Sequence, residues 1–391
     1  MTAILVPPGL SDQVVSLRRD FHRHPELGFE EHRTAGIVAE RLRALGYDVA
    51  TDIGGTGVVG VLRGAKPGRI VMLRADMDAL PILEETESTY RSTVDGKMHA
   101  CGHDGHVAIL LGAAALITDR KDELTGTLCL LFQPAEEGLG GAKAMIEDGV
   151  IERFGIERAY GLHLSSKYPT GTLGFRAGPM YASSDSIEIE VLGRGGHGSA
   201  PHDTVDPILV AAEFVTAVQK VVSRQIDPLE PAVVSIGSIH GGTIHNVIPR
   251  TCSMLGTVRA FSSEVRDAMP ARIERVLRAC CDGSGAEYAY RYLRRYPVTA
   301  NDAAQTEYAR ALAEVTIGAE RVLAADALMG AEDFSFFAER VPACFYTLGV
   351  SGDERSSHPH HSSFFDIDER ALPTGVAMMT ALALDAANNA P

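Results

Sequence analysis

The chain has 391 residues, which is more than most single domains contain, so its length predicts two domains. Its net charge is −15 at pH 7 and no run of Lys or Arg stands out, which argues against a nucleic-acid partner. The longest apolar run, Val107 to Ile117, is too short and too rich in Gly and Ala to span a bilayer, so no membrane partner is expected.

The beginning of the chain and its cysteines both favour a cytoplasmic location. Met1 to Leu10 lacks a basic region and carries Pro7-Pro8, which is not the pattern of a signal peptide. Six cysteines are scattered along the chain, and only Cys280 and Cys281 are neighbours. Free thiols in a reducing compartment are therefore expected, rather than a disulfide framework.

The first 182 residues alternate between helical and strand-like patterns. Helices are predicted at Asp12–His24, Arg33–Leu45, Val107–Arg120 and about Lys143–Asp148, and strands at Val58–Leu62, Arg69–Leu73, Gly126–Phe132 and Arg158–Leu164. The turn Lys66-Pro67-Gly68 is expected to join the first two strands. Such alternation is typical of an α/β domain.

From Ser184 onward the pattern changes, and Ser186 to Val191 alternates with period two, as a half-exposed strand does. Further strands are predicted at Ala232–Ile239, Cys252–Arg259 and Glu287–Arg294, with helices at about Asp206–Val222 and at Glu264–Cys281. This β-α-β-β-α-β order is the ferredoxin-like split motif.

Beyond Pro297 the α/β character returns. A helix is predicted at Thr306–Thr316, a strand at Cys344–Val350 and a final helix from about Asp368. The predicted fold class is therefore α/β: one mixed-sheet domain built from residues 1–182 and 296–391, with a ferredoxin-like α+β domain, residues 183–295, inserted into it.

Polar side chains collect where the predicted strands end. Met98 to His106 holds a thiol, three imidazoles and a carboxylate, at the start of a predicted helix. Asp76 and Asp78 follow one buried strand, and Glu136 and Glu137 follow another. In an open α/β sheet, ligands gather at the carboxyl ends of the strands. A His-rich turn, an Asx turn and a solvated glutamate pair are the simpler interpretations of these three segments.

The combined set also includes His163, near the end of a third strand, and His361 in a late loop. Thiol, imidazole and carboxylate groups suit zinc, manganese, cobalt or nickel, and the set is large enough for two ions. Two ions can hold and deprotonate a water and polarise a carbonyl. Of two adjacent glutamates, one could bind metal while the other moves the proton to a leaving amine.

Seven motifs in order along the chain give a specific resemblance. They are 18–27 (RRDFHRHPEL), 75–81 (ADMDALP), 99–106 (HACGHDGH), 132–137 (FQPAEE), 195–202 (GGHGSAPH), 246–249 (NVIP) with 256–259 (GTVR), and 361–364 (HSSF). In these the chain resembles the M20 metallopeptidase family, in the amidohydrolase branch with hippurate hydrolases, N-acyl-amino-acid amidohydrolases and auxin-conjugate hydrolases. Many M20 peptidases have a histidine where this chain has Asp76, and in this branch Cys101 and His103 take up that coordination.

The resemblance implies a role for each matching residue. The ligands of two divalent ions, Mn²⁺ or Zn²⁺ with Co²⁺ or Ni²⁺ as further candidates, would be Cys101, His103, Glu137, His163 and His361. Glu136 would be the general base and then acid, and Asp78 would orient a ligand. His197 would stabilise the oxyanion, from the same or a partner subunit, and Asn246 and Arg259 would hold the substrate carboxylate. His106, His202, His245, His358 and His360 are expected to be structural or to line the pocket.

The resemblance further implies a zinc-peptidase-like catalytic domain, with the inserted domain acting as a lid and as the contact of a homodimer or homotetramer. The expected reaction is hydrolysis of N-acyl-L-amino acids, such as N-acetyl or benzoyl forms, to a carboxylic acid and an amino acid. A dipeptidase or aminopeptidase on the same scaffold is the alternative. A binding protein without activity would have lost Glu136 or a ligand, and a cysteine hydrolase with Cys101 as nucleophile would be insensitive to chelators.

Overall fold

The computed structural model describes residues 4–391 and divides them into two compact units. The larger unit contains the described residues up to Met180, with Ala300–Asp326 and Asp333–Pro391, and the smaller unit contains Tyr181–Thr299 and Ala327–Glu332. No helix within residues 4–391 is long and apolar enough to cross a membrane.

The helices and strands follow one another along the chain in three stretches. Up to residue 181 they are α1 (Pro8–Arg23), α2 (His32–Ala44), β1 (Asp48–Ile53), β2 (Gly57–Arg63), β3 (Lys66–Asp76), α3 (His103–Thr118), β4 (Thr125–Gln133), α4 (Gly141–Glu147), α5 (Val150–Phe154), β5 (Arg158–Pro169), β6 (Leu173–Phe175) and β7 (Gly178–Tyr181). From 184 to 296 they are β8 (Ser184–Leu192), β9 (Gly196–His197), α6 (Pro207–Ala217), α7 (Gln219–Gln225), β10 (Ala232–Gly241), β11 (Val247–Ile248), β12 (Thr251–Ala260), α8 (Ser263–Ser284) and β13 (Glu287–Tyr296). The last stretch has β14 (Thr299–Asn301), α9 (Ala303–Ile317), β15 (Val322–Ala324), α10 (Ser335–Ala338), β16 (Ala343–Ser351) and α11 (Leu372–Asn389).

The larger unit is built on a mixed eight-stranded sheet, which confirms the predicted α/β class. Its strand order is β1-β2-β4-β3-β5-β16-β6-β15, and β4, β3, β5 and β16 are mutually parallel. Central strands of this kind are apolar on both faces, and the run from Val71 to Ala75 in β3 is fully buried, with Arg74 its one charged residue. Helices α3 and α11 pack against β3, and both are buried along most of their length.

Several predicted boundaries differ from the structure by a few residues, and two of the differences are instructive. Lys66-Pro67-Gly68 lies inside β3 rather than in a turn, because the pairing with β4 is irregular between Lys66 and Ile70 and accommodates a proline that cannot donate to the ladder. Helix α3 begins at His103, four residues before the predicted start at Val107. Gly102 precedes it with φ = 87°, a left-handed conformation that glycine adopts without strain.

The smaller unit has a four-stranded antiparallel sheet with the order β10-β12-β8-β13. Together with α6, α7 and α8 it follows the β-α-β-β-α-β order. The alternating burial of β8 places Ile187, Ile189 and Val191 in a core that also contains Phe214 of α6 and Leu277 of α8. The predicted helix at about 206–222 is divided into α6 and α7 at Val218.

Candidate metal centre

The parallel strands bring separate segments of the chain to one edge of the larger unit's sheet. β3 ends at Asp76 and β4 ends at Gln133, directly opposite each other in the register. β5 lies on the other side of β3 and pairs with it from Arg158 to Gly161. His163 lies on β5 just beyond this paired stretch. Because carboxyl ends of parallel strands meet at the same edge, Asp78, Glu136 and His163 become neighbours although they are far apart in sequence.

Three overlapping groups at this edge have ligand atoms within 4.8 Å of one another. The first is Cys101, His103 and His163, the second is Cys101, Glu137 and His361, and the third is His103, Glu136 and Glu137. The structure therefore brings together all five residues that the sequence assigned as ligands, along with the candidate base. Cys101 belongs to two of these groups.

His103 is held in one tautomer by Asp78. Its Nδ1–H donates to the backbone carbonyl of Asp78 at 2.9 Å and lies 3.2 Å from the carboxylate Oδ1. Nε2 is buried and has no hydrogen-bond partner. Burial lowers the pKa of His103, but the charges of Asp76 and Asp78 raise it more, to about 10. Nε2 lies 3.5 Å from Asp76 Oδ2, and a ring nitrogen beside carboxylates in this way is suited to a cation.

His163 is oriented by its own backbone in a comparable way. Its Nδ1–H donates to the carbonyl of Leu164 at 2.6 Å, which leaves Nε2 3.5 Å from Cys101 Sγ. Burial lowers the pKa of His163 well below its usual range, so the ring is neutral. Sulfur and nitrogen ligands at about 2.3 and about 2.1 Å from one tetrahedral zinc lie about 3.6 Å apart, so this separation fits a shared ion.

The surroundings of Cys101 favour a metal ligand over a nucleophile. Burial raises the pKa of its thiol well above the usual value, and the charges of Glu137 and Glu136 raise it further. Reactive cysteines lie in electropositive surroundings that stabilise the thiolate, which is the opposite arrangement. A bound cation would reverse this balance, since a coordinating thiol is deprotonated outright.

The two glutamates differ in what they touch. Glu137 donates its backbone N–H to Asp78 Oδ2 at 2.9 Å, and its Oε1 lies 3.1 Å from His361 Nε2. Glu136 is buried, and its Oε1 accepts the backbone N–H of Asp333 at 3.3 Å. The preceding residue, Ala135, has φ = 52°, an uncommon conformation for a residue with a side chain. The turn thus directs two adjacent carboxylates into one site.

The loop that carries His361 also brings in His360, which the sequence analysis expected to be structural or to line the pocket and not to be a ligand. His361 has φ = 65° and donates its N–H to the carbonyl of Ala100 at 2.8 Å, next to Cys101. Its neighbour His360 has Nδ1 3.6 Å from Cys101 Sγ. Burial, and then the charge of His106, lower the pKa of His360 to about 3. Two consecutive histidines therefore reach the centre, and the sequence offered no signal beyond their adjacency.

Asp76 and His106 are occupied by other partners. Asp76 receives a hydrogen bond from Arg74 at 2.8 Å and another from His106 Nδ1–H, while His106 Nε2 accepts the N–H of Leu164 at 2.9 Å. Both nitrogens of His106 are therefore used within the protein, which leaves it no lone pair for a metal. This agrees with the structural role expected for His106. The sequence analysis did not use Arg74, two residues before Asp76. This buried arginine in β3 is a counter-ion of Asp76, and a charged residue in an apolar strand could have indicated it.

The three remaining predicted residues lie in the smaller unit. His197 in β9 is exposed, and its Nδ1 lies 2.8 Å from Ser199 Oγ. Asn246 precedes β11, which pairs with β9, and its carbonyl accepts the N–H of Gly198 at 2.8 Å. Arg259, at the end of β12, is half-buried and donates to Ser184 Oγ at 2.5 Å. His197 and Asn246 are thus neighbours within this unit.

Comparison with known proteins places the chain in a family. The sequence model of peptidase family M20/M25/M40 matches residues 72–385. Thermostable carboxypeptidase 1 of Saccharolobus solfataricus is 42% identical over 97% of this chain and 96% of its own length. The hippurate hydrolase of Campylobacter jejuni is 40% identical over 96% of this chain and 97% of its own length.

A solved structure extends the agreement to three dimensions. A dinuclear metal-binding peptidase of the M20 family from Bacillus subtilis has a TM-score of 0.85 and 33% identity, over 97% of this chain and 99% of that one. The fold and the relatives together define a hydrolase that acts on amide bonds. The chain belongs to the M20/M25/M40 peptidase family.

Proposed function

We propose that this protein hydrolyses N-acyl-L-amino acids to a carboxylic acid and a free amino acid at a centre of two divalent metal ions. The observation that carries the proposal is the set of three overlapping donor groups around Cys101 and His103. Hippurate, named in the Campylobacter relative, is the benzoyl amide of glycine, which supports an acylated amino acid as substrate.

In this proposal the donor groups would hold two ions. Cys101, His103 and His163 would hold one ion, and Cys101, Glu137 and His361 would hold the other. Mn²⁺ or Zn²⁺ suits these donors, with Co²⁺ and Ni²⁺ as further candidates. When bound, the ions supply Lewis acidity that polarises the amide carbonyl and acidifies a water. Asp78 keeps His103 in the tautomer whose Nε2 faces the site.

Glu136 moves the proton. Its carboxylate lies in the same group as His103 and Glu137 but is the member not assigned to an ion. It accepts a proton from the attacking water and then donates that proton to the nitrogen of the departing amino acid. The Asp333 N–H that contacts Oε1 orients the carboxylate for this exchange.

The smaller unit supplies substrate contacts in the proposal. Residues 183–295 act as a lid, on which His197 donates a hydrogen bond to the oxyanion of the tetrahedral intermediate. Arg259 and Asn246 hold the carboxylate of the substrate, a task that suits a guanidinium fork. The exposed imidazole of His197 and its pairing with the Asn246 loop support this assignment.

A homodimer or homotetramer through the smaller unit, in the cytoplasm, completes the proposal. β10 is the terminal strand of its sheet, and Ile239 on β10 and Leu255 on the adjacent β12 are exposed. A free strand edge beside apolar side chains is a surface that pairs with another chain. The cytoplasm is the compartment that keeps thiols such as Cys101 reduced.

The Saccharolobus relative favours a second candidate. Because its name is carboxypeptidase, peptides with a free carboxyl terminus are an alternative class of amide substrate on the same scaffold. This candidate extends the dipeptidase or aminopeptidase alternative to a wider range of peptides. The peptidase and the first proposal would use the same metal centre. They differ in the group attached to the nitrogen of the released amino acid, which is another amino acid in a peptide and an acyl group in the first proposal.

One experiment tests both candidates. The purified protein is incubated with N-acetyl and benzoyl amino acids and with plain dipeptides, and the release of free amino acid is measured. Each reaction is run as purified, after chelation, and after return of manganese, zinc, cobalt or nickel. Acyl amino acid hydrolysis that chelation removes and metal restores is the expected result. Cleavage of dipeptides alone would shift the function to the peptidase class, and activity insensitive to chelation would reject the metal centre.

A further inference from the structure

A second buried polar cluster lies in the larger unit, beside the metal centre but not part of it. At its middle is Arg18 of α1, whose side chain is fully buried. Its Nε donates to Asp104 Oδ2 at 2.8 Å, and one terminal nitrogen donates to Asp366 Oδ1 at 2.9 Å. The other terminal nitrogen lies 3.3 Å from Glu369 Oε1. The guanidinium also stacks over Tyr90, 4.9 Å from the ring centroid.

The two buried carboxylates in this cluster belong to segments that carry proposed metal ligands. Asp104 directly follows His103, in the first turn of α3. Asp366 follows His361 by five residues, and its carboxylate also accepts the hydroxyl of Tyr90 at 2.8 Å. Arg18 therefore connects, through one planar group, the segment of His103 and the segment of His361.

We propose that Arg18 is a positioning residue that fixes the separation of these two ligand-bearing segments, and hence the geometry of the two-ion centre. The inference rests on the proposed metal centre. Asp104 and Asp366 are 262 residues apart in the chain, and Arg18 donates a hydrogen bond to each of them. Other groups also contact these carboxylates: His22 Nδ1 lies 2.7 Å from Asp104, and Asp366 accepts the Tyr90 hydroxyl, but Arg18 joins the two directly.

The shape of the arginine is as important as its charge. A guanidinium presents several N–H groups in a rigid plane and can bond two carboxylates in different directions at once. An ammonium is a point charge on a flexible stem, and it cannot keep both carboxylates at fixed positions. Arg18→Lys therefore retains the charge that balances the cluster while removing the rigid connection.

The test compares Arg18→Lys with a matched control, Arg266→Lys. Arg266 in the smaller unit also pairs with a fully buried carboxylate, Asp185, at 2.7 Å, whereas the proposed ligands belong to the larger unit. Folding is followed by circular dichroism and thermal unfolding, and metal binding by titration at buffered free Zn²⁺ and Co²⁺. The absorption spectrum of bound Co²⁺ reports ligand geometry independently of activity.

The expected result is that Arg18→Lys binds the second ion, the one assigned to Cys101, Glu137 and His361, about 10–100-fold more weakly than the unmodified protein does. The Co²⁺ spectrum of the variant should also change. Arg266→Lys should lower the melting temperature without either effect. Two ions bound with unchanged affinity and spectrum in Arg18→Lys would overturn the inference. If the unmodified protein itself binds fewer than two ions, the proposed two-ion centre fails instead, so the two failures are distinguishable.

A second variant keeps the test decisive if Arg18→Lys does not fold. Asp366→Asn preserves the size of the side chain and removes the charge that draws Arg18 toward the His361 segment. The same weakening of the second ion is expected, whereas an unchanged affinity would reject the link. Asp267→Asn, on the exposed ion pair with Arg294, is the matched control and should leave metal binding unchanged.

Discussion

The proposed ligands in the larger unit and the proposed substrate contacts in the smaller unit differ in how firmly the protein holds them. His103 is buried and His163 is partly buried, and each has one ring nitrogen fixed by a backbone carbonyl. His197 is exposed, and its contacts are with Ser199, two residues away. The difference teaches that the proposed metal ligands are oriented by the protein itself, whereas the role proposed for His197 depends on a substrate that it would contact.

This contrast has a functional meaning. Metal ligands must be pre-arranged, because their oriented lone pairs decide both affinity and coordination geometry. A group that stabilises a transition state can be brought in later, and conformational closure is a common way to do this. Variants in the larger unit should therefore alter metal content or the chemical step, and variants in the smaller unit should alter turnover or substrate affinity with metal unchanged.

The largest effect is expected for Glu136→Gln. The amide cannot accept the proton of the attacking water, so kcat should fall by about 10³–10⁴-fold. Metal content, measured by elemental analysis of the same sample, should be unchanged. The matched control is Glu137→Gln, which should lose metal as well as activity. If Glu136→Gln loses metal and Glu137→Gln keeps it, the two roles have been exchanged.

The next largest effect is expected for His197→Ala. Removal of one oxyanion donor should lower kcat by about 10²–10³-fold, with both metal ions retained. His202→Ala, at an exposed histidine in the same unit, serves as the control and should leave kcat close to normal. A change confined to KM would reject the oxyanion role and reassign His197 to substrate binding.

The polar groups near the strand ends could be predicted from the sequence, because they follow apolar runs that a local pattern reveals. A buried apolar run followed by Asp76 and Asp78, or by Glu136 and Glu137, predicts both the strand and the polar groups beyond it. Parallel pairing then brings these ends together, so the location of the candidate site could be predicted. The metal-binding roles themselves stay predictions, and they rest on a resemblance as well as on residue type.

Contacts between distant segments could not be predicted in the same way. His360 reaches Cys101 from an irregular loop in which His361 has a positive φ, and no periodicity in the sequence reports such a loop. Arg18 is a charged residue on the buried face of α1, beside Val14 and Phe21, and its partners Asp104 and Asp366 are 86 and 348 residues away. Side chains buried by pairing with remote charges look like surface residues in the sequence.

A smaller effect is expected for Asp78→Asn, which tests the orientation of the proposed metal ligands in the larger unit. The amide can still accept from His103 at its oxygen, but it loses the charge and offers one acceptor fewer to Glu137 N–H. Metal affinity should fall by about 10–100-fold, and added metal should restore much of the turnover. Asp52→Asn, at an exposed carboxylate in the same unit, is the control. Unchanged metal affinity in Asp78→Asn would show that the backbone carbonyl alone orients His103.

The smallest effect is expected for Arg259→Lys, which tests the proposed substrate contacts in the smaller unit. Lysine keeps the charge but loses the planar fork, so KM for an N-acyl amino acid should rise about 10-fold while kcat changes little. The decisive comparison uses the same substrate with its carboxylate replaced by a carboxamide. If Arg259 binds the carboxylate, the variant and the unmodified protein should handle the carboxamide equally. An equal rise in KM for both substrates would instead mean that Arg259 supports the smaller unit through Ser184, and the carboxylate contact would then have to come from Asn246 or from another residue.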